Sequence, residues 1–126
     1  MRRTGAARIV AAVLAAAAVT AGAAVLLHMP QTQRIPAADD AARLAYLRSQ
    51  GREGTLVRAQ AVVIPETWPG TYAAYAQAQA ARQLPLAAAA GQPGTLYTYA
   101  LAGSDERAAL LVWDGILVGY QVYGDP

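Results

Sequence analysis

The sequence predicts an α+β fold: one small domain in the order α-β-α-β-β-β, with a mainly antiparallel sheet and two helices on one face. Three observations predict it. The pair Asp114-Gly115 divides two apolar runs in AALLVWDGILVGYQVY, the strongest short signal for a β-hairpin. TLVRAQAVVIP and TLYTYALAG alternate with the period of a strand, whereas DDAARLAYLRSQG and ETWPGTYAAYAQAQAARQ repeat at helical spacing. A chain of 126 residues has room for one core and no second one.

Residues 1–28 precede that domain and read as a signal-anchor or transmembrane segment. MRRTGAAR is positively charged, and Ile9 to Leu27 contains no charge. At ~1.5 Å per residue this run covers about 28 Å, enough for a thin hydrocarbon core. The leading arginines would keep the N-terminus inside and place the domain outside the membrane. The alternative is a signal peptide cleaved at Ala21-Gly22-Ala23, although the apolar run continues past that site through Leu27. With no cysteine there is no lipid attachment, no disulfide and no thiol nucleophile. MPQTQRIPAA, residues 29–38, has two prolines and reads as a linker.

Within the domain, residues 39–126, the first helix has acids at Asp39 and Asp40 in its opening turn and Gly51 at its C-terminal cap. Ala41, Leu44 and Leu47 share a face, and Asp39 stands four residues from Arg43, the spacing of a surface ion pair. The first strand alternates Leu56, Arg58, Gln60 and Val62 against Val57, Ala59, Ala61 and Val63, and Pro65 ends it. In the second helix Thr67 is the expected cap, Pro69 is tolerated in the first turn, and Trp68, Tyr72 and Tyr75 form one stripe. LPLAAAAGQPG is a loop. The second strand sets Tyr97, Tyr99 and Leu101 against Leu96, Thr98 and Ala100, and GSDER is a polar turn. A two-residue loop at Asp114-Gly115 pairs Trp113 with Ile116, Leu111 with Val118, and Ala109 with Tyr120. Both faces of this hairpin are apolar, so both must be covered, by the chain itself or by a partner.

The pieces AARLAYLRSQG, VVIPETW with TYAAY, LYTYALAG and LLVWDGILVGYQV together resemble the DUF4830 family of uncharacterised bacterial proteins. The resemblance implies an N-terminal membrane segment followed by one small extracytoplasmic domain, and it implies no activity. Trp68, Tyr72, Tyr75, Tyr97-Thr98-Tyr99 and Asp114-Gly115 with Gly119 carry it. The chain departs at Arg52, where the family tends to have an aromatic, and in a second helix rich in Ala and Gln instead of charge.

Chemistry is thinly represented. Without Arg2, Arg3 and Arg8 the chain is slightly acidic, and it has no lysine, so it lacks the basic face that binds nucleic acid. The lone His28 sits where the apolar segment ends. Ser49, Ser104, Glu53, Glu66, Asp105, Glu106, Asp114 and Asp125 form no catalytic or metal-ligating pattern, so no catalytic residue, metal or cofactor is expected. The candidate ligand or partner surface is aromatic: Trp68, Tyr72, Tyr75, Tyr97, Tyr99, Trp113 and Tyr120. Two readings emerge. One is a membrane-anchored, non-catalytic module of the bacterial envelope that binds a protein or peptide through the uncovered sheet face or an edge strand. The other is a tethered or secreted domain that holds a small apolar ligand in a Trp/Tyr-lined pocket.

Overall fold

A computed structural model describes residues 32–124; the predicted anchor or signal segment, His28 and Asp125 lie outside them. Helix α1 (Asp40–Ser49) is followed by β1 (Gly54–Val63), a 3₁₀ turn (Gly70–Tyr72), α2 (Ala73–Ala81), a second 3₁₀ turn (Ala87–Ala89), β2 (Pro93–Leu101), β3 (Glu106–Trp113) and β4 (Ile116–Gly124). The strands form one antiparallel sheet in the order β1-β2-β3-β4. The α+β class and the antiparallel sheet are as predicted.

Helix α1 ends at Gly51 as its sequence calls for, and it begins one residue later than the acids suggest. Asp39 is the N-cap and its carboxylate accepts the Ala42 N–H at 2.8 Å. At the other end Gly51 has φ +76°, and the amides of Gly51 and Arg52 reach back to the carbonyls of Arg48 and Leu47, each at 2.9 Å. The expected ion pair between Asp39 and Arg43 does not form. Capping occupies Asp39, and Arg43 turns inward to hydrogen-bond partners that the sheet provides.

Helix α2 is shorter than its periodicity suggests. Gly70 takes φ +61° directly after Pro69, which diverts the backbone before regular helix can start, and Thr67 caps nothing. At its C-terminus Gln83 occupies the left-handed position, φ +64°, that glycine fills in α1. The Gln83 and Leu84 amides close the same pair of bonds, to Ala80 and Gln79.

Two bulges reset the strand faces. Val57 is the extra residue between Leu56, opposite Tyr99, and Arg58, opposite Thr98. Leu56 therefore shares its face with Ala59, Ala61 and Val63, not with Arg58 as simple alternation implies. In the hairpin the turn is as predicted, with φ +53° at Asp114 and +74° at Gly115, and Trp113 pairs with Ile116. Val118 then bulges out, so Leu111 meets Gly119 and Leu110 meets Tyr120. The slip moves Tyr120 from the face of Leu111 to that of Leu110.

The helices do not share a face, contrary to expectation. Leu44, Tyr46 and Leu47 of α1 pack with Tyr99, Leu101, Ala108, Leu110, Leu117 and Tyr120 on one side of the sheet. Tyr75 and Ala76 of α2 belong to a second cluster with Ile64, Leu86, Ala89, Leu111 and Val118 on the other. Both faces of the hairpin are oily because the chain covers each with a different segment. The loop after α2 is part of that cover: Leu84, Leu86 and Ala89 are buried, and the Gly91 amide bonds the Ile64 carbonyl at 2.8 Å.

The outer edge of β4 is closed, partly by residues read as linker. Pro36 bridges Ile116, the Leu117 amide donates to the Ile35 carbonyl at 2.9 Å, and the Ala37 amide donates to the Gly115 carbonyl at 2.9 Å. Farther along the edge, the Gln79 side-chain amide imitates a strand: its Nε2 donates to the Tyr120 carbonyl at 3.0 Å and its Oε1 accepts the Tyr120 N–H at 2.8 Å. On the opposite edge β1 is exposed from Thr55 to Ala61.

The two left-handed positions give predictions of opposite sign. Gly115→Val forces a β-branched residue into φ +74° and lowers unfolding free energy by about 1–3 kcal/mol. Gln83→Gly relieves the strain at the end of α2 and raises it by ~0.5–1 kcal/mol. Denaturant titration of the two variants beside the parent checks both signs.

Candidate functional site

The seven aromatic residues singled out from the sequence are divided by the sheet. Tyr97, Tyr99 and Tyr120 lie on the α1 face. Tyr99 is fully buried; Tyr97 lies under the Arg43 guanidinium, 3.6 Å from carbon to ring centroid. Tyr120 is buried edge-on against Tyr46, with centroids 5.0 Å apart. Trp68, Tyr75 and Trp113 belong to the cluster on the opposite face. Tyr72 projects into solvent with 64% of its surface exposed. The seven are thus split between the two faces of the sheet.

A groove does collect four of them. It has a volume of about 940 Å³ and lies between α2 and the sheet. At one end its walls are Ile64, Trp68, Tyr72 and Tyr75 over a floor of Leu96 and Leu111; at the other, beside β4, are Tyr120, Arg82, Arg52, Gln50 and Gln121. The Trp68 and Tyr75 rings lie 5.1 Å apart, tilted by 37°. Sequence reasoning identified Trp68, Tyr72 and Tyr75 as one stripe, and they do form one wall. It overlooked the polar end, which is assembled from the helix ends at Gln50, Arg52 and Arg82 and has no local signature in the sequence.

The depth of the apolar end depends on Gly119. A Cβ there would overlap the Tyr75 hydroxyl and press on the Leu111 Cβ at 3.3 Å, so glycine lets the hydroxyl end of Tyr75 come down onto β4. Burial pushes the Tyr75 hydroxyl up to about 12, and among the described residues it makes no hydrogen bond. Burial also raises the hydroxyls of Tyr46 and Tyr120, against the pull of the Arg82 charge on Tyr46 and of the Arg52 and Arg82 charges on Tyr120.

The rest of this sheet face is not an apolar docking surface. Beyond the groove it carries Arg58, Gln60, Thr98 and Arg107, on the side of each strand that points away from α1. The uncovered oily face expected as a partner site is therefore filled by the chain's own loop at the hairpin end and is polar at the other.

Four of the polar residues considered for chemistry have structural work. The Ser104 hydroxyl accepts the Glu106 amide at 3.1 Å within the turn, the Ser49 hydroxyl donates to the Tyr46 carbonyl at 2.6 Å, and Glu106 pairs with Arg52 at 2.8 Å. Asp114 is in the hairpin turn. Among the described residues no group of three or more His, Cys, Asp or Glu is placed to hold a metal ion. No helix among them is long and apolar enough to cross a membrane. No family model, curated protein or solved structure matches the chain.

Two predictions test this packing. Gly119→Ala displaces Tyr75 and lowers stability by about 1–3 kcal/mol, and most of that penalty disappears in a Tyr75→Ala background, as a thermodynamic cycle would show. Because folding holds the Tyr75 hydroxyl protonated up to about 12 whereas the unfolded chain releases it from 10.0, its contribution is complete below pH 10 and is lost as pH rises. Alkaline unfolding should therefore be steeper in the parent than in Tyr75→Phe, by about 2 kcal/mol between these limits.

Proposed function

We propose that this protein is a membrane-anchored, non-catalytic interaction module of the bacterial envelope whose groove binds an extended segment of a partner protein or peptide. The N-terminal apolar segment holds the domain at the outer face, in the arrangement that the DUF4830 resemblance implies. The observation that carries the reading is the groove of about 940 Å³, open to solvent, with an aromatic wall and an apolar floor at one end and polar groups at the other. Such a surface suits a chain that alternates apolar side chains with backbone amides. The groove crosses from Val62 on β1 to Tyr120 on β4, three inter-strand spacings. At ~4.8 Å each this is about 14 Å, the length of about four extended residues.

The apolar end also favours a second reading, a small apolar ligand held against Trp68, Tyr75, Leu96 and Leu111. The two readings differ in what reaches Tyr72, which stands exposed at the rim.

Site-specific photo-crosslinking in host membranes tests the proposal. A photoreactive group at Tyr72 should yield an adduct with one recurrent envelope polypeptide, which Trp68→Ala abolishes, while the same group at Ser104 in the β2–β3 turn should yield none. Adducts that are the same from both positions, or an adduct of small-molecule mass, would contradict it. Intact mass and fractionation of the same preparation should show an uncleaved chain in the membrane. A soluble chain that begins near Ala24 would replace the anchor with a cleaved signal.

A further inference from the structure

The groove is polarised in charge. Its lining includes two arginines, Arg52 and Arg82, both at the β4 end, and no acidic side chain. Their situations differ. Arg52 is already neutralised by Glu106 at 2.8 Å. Arg82, one residue beyond α2, has no carboxylate partner among the described residues. Its guanidinium carbon stands 4.9 Å from the centroid of the Tyr120 ring, and one of its donors is engaged by the Tyr46 hydroxyl, which leaves the others of the fork for a ligand. The helix end to which it belongs is fixed as well: the Arg82 and Gln83 carbonyls accept Gln33 Nε2 and the Gln33 amide at 2.8 and 2.7 Å. An arginine placed over an aromatic face on a fixed backbone keeps its charge and its planar fork of donors, the arrangement that recognises a carboxylate. Gln50 and Gln121 flank it with neutral hydrogen-bonding groups.

We propose that the groove's occupant is an extended apolar segment bearing a carboxylate, with the apolar side chains against Trp68, Tyr75, Leu96 and Leu111 and the carboxylate received by Arg82. This rests on the peptide-binding reading of the groove and adds a direction to it: the acidic end lies toward β4. The carboxylate has two sources in a polypeptide, the C-terminus or the side chain of Asp or Glu.

The test uses the full chain in nanodiscs of neutral lipid and three pentapeptide probes, titrated by calorimetry and by the tryptophan fluorescence that Trp68 contributes. The first is acetyl-Leu-Ala-Val-Leu-Ala with a free carboxylate, the second its C-terminal amide, and the third the amide with Asp as the last residue. The free acid should bind about tenfold tighter than the neutral amide, the range of one charge-assisted pair. Arg82→Gln should bring it down to the amide's affinity without altering the amide, and Arg82→Lys should restore part of the difference. Tight binding by the first probe alone identifies a C-terminal carboxylate; tight binding by the third identifies the side chain. Equal affinities for all three probes, or an equal loss for all three in a folded Arg82→Gln variant, would overturn the carboxylate assignment and leave the peptide groove standing. No binding of any probe at about 1 mM would overturn both.

Discussion

The guanidinium of Arg43 is the point at which the separate parts of this small domain are joined. It is 95% buried in a core otherwise built of Leu, Ala, Val and Tyr, so every donor left unpaired there would be costly. Its Nε donates to the Tyr99 hydroxyl at 3.0 Å, its Nη1 to the Ala37 carbonyl at 2.8 Å, and its plane covers the Tyr97 ring. The Tyr99 hydroxyl in turn donates to Asp40 at 2.5 Å. One side chain of α1 thus holds the central strand β2 and the segment that enters the domain from the N-terminal side. That segment pairs with β4. The interaction therefore determines where the incoming chain lies along the sheet.

This anchorage leaves the two sheet edges protected in different ways. On β4 the backbone near Ile35 and Ala37 and the Gln79 amide satisfy groups that an edge strand would otherwise expose. Gln79 also positions α2 over that edge, and Tyr75, one turn earlier, then reaches across Gly119 onto the second face. The groove is the space left between that helix and the floor of Leu96 and Leu111. On β1 the protection is of another kind: a bulge at Val57 breaks the register of the edge, and Arg58 and Gln60 make its other face polar, while Val63 on the apolar row is 73% exposed.

How much of this fold is legible in the sequence depends on the range of each signal. The acids that open α1, its end at Gly51, the turn at Asp114-Gly115 and the opposed faces of Tyr97 and Leu96 are decided within a few residues and are found where local rules put them, although Asp39 caps the helix instead of pairing with Arg43. The bulges at Val57 and Val118 depend on what the neighbouring strand offers, and a shift of one residue moves Leu56 and Tyr120 to the other face. Arg43 and Gln79 resemble surface residues of helices because a polar residue at a helical position usually is one. Their burial depends on a tyrosine hydroxyl 56 residues away and on the backbone of an edge strand 41 residues away. The candidate site is divided in the same manner: the stripe of Trp68, Tyr72 and Tyr75 is local and legible, whereas Arg82 with Tyr46 and Tyr120 exists only in the folded chain.

The most direct test of Arg43 as the junction is native-state hydrogen exchange at the Leu117 amide, whose acceptor is the Ile35 carbonyl. In Arg43→Met this amide should exchange through a local opening, losing far more protection than the β2–β3 amides, which would follow global unfolding. If Leu117 and the β2–β3 amides instead lost protection by the same factor, or Leu117 lost none, the incoming segment would be held without Arg43, and Arg43 would not be the junction of the domain.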